Sequence, residues 1–214
     1  MNNLNIHWNI LDEQRKSFLP LFKSLSFDDG FYLAGGTGLA LQIGHRDSID
    51  FDFFKYDDFD TGVLISKLET IFLSHKLIIT QNEKNTVSCL VDDVVKLSFF
   101  GFKYDVLRPF VETEYFKIAS LEDIAAMKFG AILSRSLEKD YVDLYFILQN
   151  FDLKTLIDIT VQKYKDIDTA LILKSLIYFD DVLNEPIIFK ENHDISFDTV
   201  KEFLKKVVKN YFVL

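Results

Sequence analysis

The sequence predicts an α+β fold, with a small mixed sheet followed by a helical second half. Three observations carry this. Residues 31–54 read as strand, glycine turn, short helix and strand. Residues 60–100 read as one helix and an antiparallel meander. From Ser120 onward, apolar residues recur at helical spacing. With 49% hydrophobic residues and 22 phenylalanines, the chain can bury a sizeable, Phe-rich core. The expected division is a sheet domain with an N-terminal helix over residues 1–115 and a helical domain over 116–214.

Taken in order, residues 8–27 place Leu11, Arg15, Phe18, Leu19, Phe22 and Leu25 at helical spacing, with Pro20 marking a kink or break. Asp28, Asp29 and Gly30 form a turn. A strand over 31–34 leads into Gly35-Gly36-Thr37 and a helix over 37–43. Asp60 suits the N-cap of a helix whose stripe is Leu64, Leu68, Ile71 and Phe72. Strands follow at 76–81, 86–91 and 94–100, with Asp92-Asp93 in a tight turn. Ser120 and Asp123 make a capping-box-like start to the next helix, whose stripe is Ile124, Ala125, Ala131 and Ile132. Further helix pattern covers 153–179, Asn184-Glu185-Pro186 breaks it, and 198–212 is a final amphipathic helix. The lysines on that last helix (Lys201, Lys205, Lys206 and Lys209) read as a solvated face, the alternative being an RNA-contacting patch.

Composition narrows the function. A net charge of −9 argues against broad binding to nucleic-acid phosphates. No apolar run is long enough for a transmembrane helix, and the opening residues lack the basic and apolar regions of a signal peptide. One cysteine, Cys89, excludes an internal disulfide framework and reads as a small core residue. The expected location is the cytoplasm. His7, His75 and His193 are scattered without ligand spacing.

The chemistry concentrates in residues 31–54. Ser48-Ile49-Asp50-Phe51-Asp52-Phe53-Phe54 alternates polar and apolar residues, so Ile49, Phe51 and Phe53 are expected to face the core and Ser48, Asp50 and Asp52 the other side. Carboxylates two apart on a strand lie roughly 7 Å apart. They can hold a hard divalent cation such as Mg²⁺, and like charges so close call for one. Upstream, Gly35-Gly36 lets the backbone approach a ligand, and a helix starting near Thr37 aims free N–H groups at an anion. Either feature alone is ordinary, because a D-x-D is commonly a solvated strand face and Gly-Gly a plain turn. Twelve residues separate Thr37 from Asp50 and put the two together.

A second set of residues lies far along the chain. Lys128 falls on an apolar helical stripe and Arg135, seven residues on, faces nearly the same way if the helix continues. Buried cations are costly unless they line a cleft or meet anions. Asp140 and Asp143 share a helical face in the apolar sequence around YVDLYFIL, so Asp143 is expected to be buried with Arg135 or Lys128 as partner. A buried ion-pair network that only fixes helix packing is the alternative.

The string LAGGTGLALQIGHRDSIDFDFF resembles the first motif of the DNA polymerase β-type nucleotidyltransferases. It is more narrowly similar to the AbiEii/AbiGii-type nucleotidyltransferase toxins of bacterial abortive-infection and toxin–antitoxin systems. Lys128, Arg135 and Lys139-Asp140-x-x-Asp143 resemble the later motifs of that group. The resemblance implies a polymerase β-like nucleotidyltransferase sheet, with the helical part contributing to the active-site cleft. It further implies a nucleoside triphosphate on the turn of Gly35, Gly36 and Thr37, with Arg46 also placed for triphosphate contact, and Mg²⁺ on Asp50 and Asp52. Lys128 would steady the triphosphate, Asp140 would orient or deprotonate the acceptor hydroxyl, and Arg135 and Asp143 would form the supporting shell. A nucleoside monophosphate would pass to an RNA (tRNA) end or a protein hydroxyl, with a cognate antitoxin as partner. One departure stands out, because Ser98 occupies the strand position where a third carboxylate belongs, and this favours one metal over two. Two rivals remain. A haloacid-dehalogenase-type phosphatase also uses D-x-D, but it has no need of the upstream glycines and has a small residue or Thr where Phe53 and Phe54 stand. A degenerate nucleotide- or partner-binding protein of the same fold is favoured by Ser98.

Overall fold

The computed structural model describes residues 5–190 and 192–213. Its N-terminal segment is helical but broken into four pieces: a 3-10 turn (Trp8–Ile10), α1 (Glu13–Phe18), a second 3-10 turn (Leu19–Phe22) and α2 (Lys23–Phe27). The interruption falls at Pro20, which lacks an N–H and fixes φ. Then come β1 (Tyr32–Leu33), α3 (Gly35–Ile43), β2 (Asp50–Lys55) and α4 (Thr61–Ile71). The meander is β3 (Leu77–Glu83), β4 (Thr86–Val91) and β5 (Val95–Gly101). Its second turn has Asp92 and Asp93 both at positive φ, the geometry that matches hairpin twist. Two short strands, β6 (Val111–Glu112) and β7 (Lys117–Ile118), finish the sheet.

The seven strands lie in the order β3-β4-β5-β2-β1-β7-β6. β2 and β5 are parallel, which the intervening α4 and hairpin allow, and their register sets Asp50 beside Lys96, Asp52 beside Ser98 and Phe54 beside Phe100. The alternation therefore resolves as expected for Phe51 and Phe53, both fully buried. Phe22 packs on both at 5.0 and 5.5 Å between ring centroids, and Phe53 stacks on Phe99 at 5.4 Å. Ile49 does not face the core. The strand starts one residue later, at Asp50, so the period of two does not govern Ile49, which is 55% exposed. Cys89 is buried in β4, and burial pushes its thiol up to about 12, as suits a core residue.

The second half is α5 (Leu121–Ser134), α6 (Glu138–Ile147), α7 (Leu153–Lys163), α8 (Thr169–Ile177) and α9 (Phe197–Tyr211). α5 is its axis, touching α3, α6, α7 and α8. Between α8 and α9 the chain runs as an extended strap. Leu183 pairs with Leu137 at the start of α6, and Phe189 pairs with Arg46, whose neighbour Asp47 donates its N–H to the Ile188 carbonyl at 2.8 Å. On α9, Lys201 and Lys205 are paired with Asp198 and Glu202 on the same helix face, as a solvated surface would have it.

Side-chain caps hold most of these helices. Asp60, Ser120, Asp152, Asp168 and Ser196 accept from backbone N–H groups at the starts of α4, α5, α7, α8 and α9. Among the described helices of nine residues or more, only α3 and α6 lack such a cap. Asp123 goes further than its capping position suggests. Its buried carboxylate takes N–H bonds from Leu107 (3.0 Å) and Arg108 (2.9 Å) and pairs with the buried Lys163 at 2.9 Å. It thereby ties the loop before β6 to α5 and α7. Asp123→Ala, which takes the only carboxylate from the buried Lys163, leaving it the Asp105 carbonyl, and strands two N–H groups, is expected to destabilise the protein by about 3–5 kcal/mol in urea denaturation. A loss under about 1 kcal/mol would show that the staple contributes nothing beyond an exposed pair.

Candidate active site

The first turn of α3 is shaped by what it must approach. Gly35 has φ of +63°, and a Cβ there would sit 2.9 Å from the Asp52 Oδ2 atom. A Cβ on Gly36 would meet an Arg46 guanidinium nitrogen at 2.6 Å. Both glycines are therefore required by close approach, one to a carboxylate and one to a cation. The helix starts at Gly35, two residues earlier than the sequence pattern suggests, because glycine tolerates the entry geometry. The first intrahelical bond runs from the Gly38 N–H to the Ala34 carbonyl (3.0 Å), which leaves the N–H groups of Gly35, Gly36 and Thr37 without an intrahelical acceptor. Thr37 is buried, and its hydroxyl is bonded to Ser48 Oγ (2.8 Å) and to the Asp50 carbonyl. It pins α3 to β2, so this turn offers its backbone rather than the threonine side chain.

Asp50 and Asp52 sit side by side on the partly open face of β2. Burial raises the Asp52 carboxyl above its ordinary value and the nearby Asp50 adds to this, with Lys96, Lys128 and Arg135 opposing. Ser98 lies directly across from Asp52 in the register, and its hydroxyl accepts from Ser88 at 3.3 Å. Among the described residues no group of three or more acidic, histidine or cysteine side chains converges as a metal site. What the face presents is a carboxylate pair that forms no ion pair among the described residues and is opposed only through space by Lys96, Lys128 and Arg135.

The other half is a buried ion network centred on Asp143. Its two oxygens receive Arg46 in a bidentate fork (2.7 and 2.8 Å), His45 Nε2 at 2.9 Å and the Lys128 ammonium. Burial alone would raise the Asp143 carboxyl, but Arg46 and Lys128 hold it well below the usual carboxylate range. His45 is pushed down by burial, against the pull of Asp143, so it stays neutral. Lys128 also donates to Asp140 Oδ1 at 2.7 Å, and Arg135 reaches Asp140 Oδ2 at 3.2 Å.

Four expectations change here. Arg46 is neither an exposed loop charge nor a free phosphate ligand, since it is 5% exposed and committed to Asp143. Arg135 does not continue the α5 face. It is the C-cap in extended conformation (φ −149°, ψ 129°), it partners Asp140 rather than Asp143, and over half of its side chain is exposed. Asp140 is fully buried with a cation on each oxygen, so an acceptor hydroxyl cannot reach it as it would a general base. Lys128, predicted as a triphosphate contact, is nearly closed off behind Asp140 and Asp143. Sequence reading missed His45 as a network member and missed the strap over Arg46. Its signals, a His-Arg pair before the strand and an apolar stretch after Pro186, are visible only in retrospect.

An uncapped helix start beside paired carboxylates, faced by cations from a helical half, is chemistry suited to a phosphate-bearing ligand. Comparison with known proteins agrees. Residues 21–209 match the family described as the nucleotidyl transferase AbiEii toxin of type IV toxin–antitoxin systems. The chain belongs to that family. An uncharacterized protein of Aquifex aeolicus is 36% identical over 210 residues, covering 94% of this chain and 97% of its own length. Among solved structures, MenT4, a nucleotidyltransferase toxin from Mycobacterium tuberculosis, superposes with a TM-score of 0.61 at 14% identity, covering 94% of this chain and 82% of that one. A Helicobacter pylori structure whose nucleotidyltransferase assignment is itself only proposed superposes at 0.57 and 19% identity, covering 94% of this chain and 95% of that one. At these identities the structures establish a shared fold.

The network makes stability depend on pH. Unfolded, His45 takes a proton near its ordinary value of about 6.5, while folded it does so only at lower pH. Stability is therefore full above that value and falls as pH drops below it, with Asp143 adding a further loss in the acid range below its own ordinary value. In urea denaturation, His45→Asn is expected to flatten the decline between about pH 6.5 and pH 5 by up to about 1.4 kcal/mol per pH unit. An unchanged slope in the variant would contradict the neutral, buried state of His45.

Proposed function

We propose that this protein is an active toxin enzyme that transfers a nucleoside monophosphate from a nucleoside triphosphate to a hydroxyl on an RNA end, such as that of tRNA, or on a protein. The observation that carries this reading is the contact between the uncapped start of α3 and Asp52, which puts an anion-binding helix end and a carboxylate pair within one ligand's reach. The raised Asp52 carboxyl and the adjacent Asp50 fit a hard divalent cation, because such a cation relieves the repulsion that the fold leaves in place. Asp50 and Asp52 would hold Mg²⁺, which when bound supplies charge neutralisation on the phosphates and the leaving pyrophosphate. With Ser98 in place of a third carboxylate, one ion is the simpler complement.

The chain's own groups then divide the work. The N–H groups of Gly35, Gly36 and Thr37 cradle phosphate oxygens. Arg135, the exposed cation, binds the triphosphate directly, while Lys128 adds positive potential from behind and is fixed by Asp140 and Asp143. Arg46 and Asp143 position the glycine turn. The acceptor oxygen bonds to the α-phosphorus as its hydroxyl proton passes to solvent water, and the bond from the α-phosphorus to the α,β-bridging oxygen breaks, releasing pyrophosphate. In this reading residues 1–115 supply the turn and carboxylates, residues 116–214 supply the cations of the cleft, and a cognate antitoxin opposes the activity in the cell.

A binding-only protein is favoured by one observation, the Ser98 substitution. Labelled nucleoside triphosphates incubated with total RNA and Mg²⁺ separate the two. Label transfer is expected from the wild type, falling roughly 100-fold or more in Asp52→Ala and ceasing on chelation. Arg135→Ala is expected to act mainly on the KM for the triphosphate. Triphosphate binding without transfer to any RNA or protein would overturn the enzyme reading.

A further inference from the structure

The face of the sheet that carries Asp50 and Asp52 does not end there. The same alternation puts Phe54 on it, roughly 7 Å beyond Asp52, with Phe100 across from Phe54 in β5. Their rings lie 5.2 Å apart, and Phe102 joins Phe54 at 5.4 Å. The belt continues through Tyr104, 4.9 Å from Phe102, to Tyr164 of α7, 4.5 Å from Tyr104. Phe54, Phe100 and Phe102 are partly exposed and Tyr104 is 41% exposed, on a face that also carries Lys96, Ser98 and Ser88 and, further out, the apolar Leu90 and Ile78. The core of these strands lies under their opposite face, with Phe51, Phe53, Leu97 and Phe99 buried there, and of the belt only Phe54 packs against it. Behind the belt, Tyr32 stacks on Phe54 at 6.1 Å and meets Phe110 at 5.2 Å. Its hydroxyl is buried and has no hydrogen-bond partner among the described residues. A buried donor left unpaired costs stability, so this hydroxyl is open to an acceptor from outside the chain, a ligand or a water.

We infer that the belt of Phe54, Phe100, Phe102 and Tyr104 is the subsite for the nucleobase of the nucleoside triphosphate. The inference rests on the nucleotidyl-transfer reading of the carboxylate pair. A triphosphate held at the start of α3 and Asp52 carries its base on the same molecule, and the aromatic surface continuous with Asp52 on that face is this one, its rings inclined to one another by 31° to 71°. Stacking on phenylalanine faces tolerates every base, since each presents a π-face, so the belt supplies affinity for nucleotides as a class.

Equilibrium binding tests this with two probes, nucleoside triphosphates and inorganic tripolyphosphate, each with Mg²⁺. Phe100→Leu and Phe54→Leu keep apolar bulk and remove the aromatic face, and Tyr104→Ala alters the most exposed ring. Each is expected to weaken nucleoside triphosphate binding by about tenfold and leave tripolyphosphate binding within twofold. Melting temperatures show whether each variant is folded, and Tyr104→Ala keeps the test decisive if the phenylalanine variants are not. Equal losses for both probes, or no loss for any nucleoside triphosphate, would overturn the inference. So would a loss confined to a short single-stranded RNA, which would assign the belt to the acceptor. A wild type that binds neither probe overturns the nucleotidyl-transfer reading as well, whereas full binding by wild type and variants alike overturns the belt alone.

Discussion

The buried carboxylate of Asp143 is the constraint on which the rest depends. It sits on α6 with no exposure, and its charge is sustained by Arg46 from the loop before β2 and Lys128 from α5. One side chain thus joins the sheet half to the helical half through two cations 97 and 15 residues away in sequence. Such a network adds less net stability than its contacts suggest, because desolvating the charges offsets much of their attraction. Removing one member is far costlier, since it strands the others. The cluster of Arg46, Lys128 and Arg135 against Asp140 and Asp143, with His45 neutral, carries one more cation than carboxylate. That surplus acts on Asp52 from a distance, together with Lys96, which lies beside Asp50 on β5.

The site is built from choices that cost stability everywhere else in the molecule. Among the described helices of nine residues or more, five carry side-chain caps, while α3 and α6, which border the site, do without. The α3 turn places a glycine at positive φ against a carboxylate, and β2 holds two carboxylates on one face. Phenylalanines occupy the face of β2 and β5 opposite their own core. The Phe-rich core under the other face, together with the Asp123–Lys163 staple, supplies the stability these features give up. Departures from local rules that gather in one place are what a functional site looks like.

What was legible in the sequence was whatever local periodicity encodes. The alternation of residues 50–53, the meander, the Asp60 and Ser120 caps and the burial of Asp143 all follow from spacing within one element. Misses came where an element ended or where partners were distant. Ile49 and Arg135 were each assigned by extending a period past the end of its strand or helix. Arg46 finds Asp143 across 97 residues, Asp123 finds Lys163 across two helices, and no local pattern announces either. The family resemblance identified Lys128, Asp140 and Asp143 as a set, but only the geometry shows that Asp140 and Lys128 are buried and that Arg135 is the accessible cation.

A double-mutant cycle between Arg46→Met and Asp143→Leu tests this account most directly, read both in urea denaturation and in nucleotide transfer. Each single variant strands a buried charge, whereas the pair removes both. The account predicts a coupling of roughly 3 kcal/mol or more in stability, with the double variant folded yet still deficient in transfer because the turn at Gly36 has lost its positioning cation. Additive effects, or a double variant with full transfer activity, would contradict it.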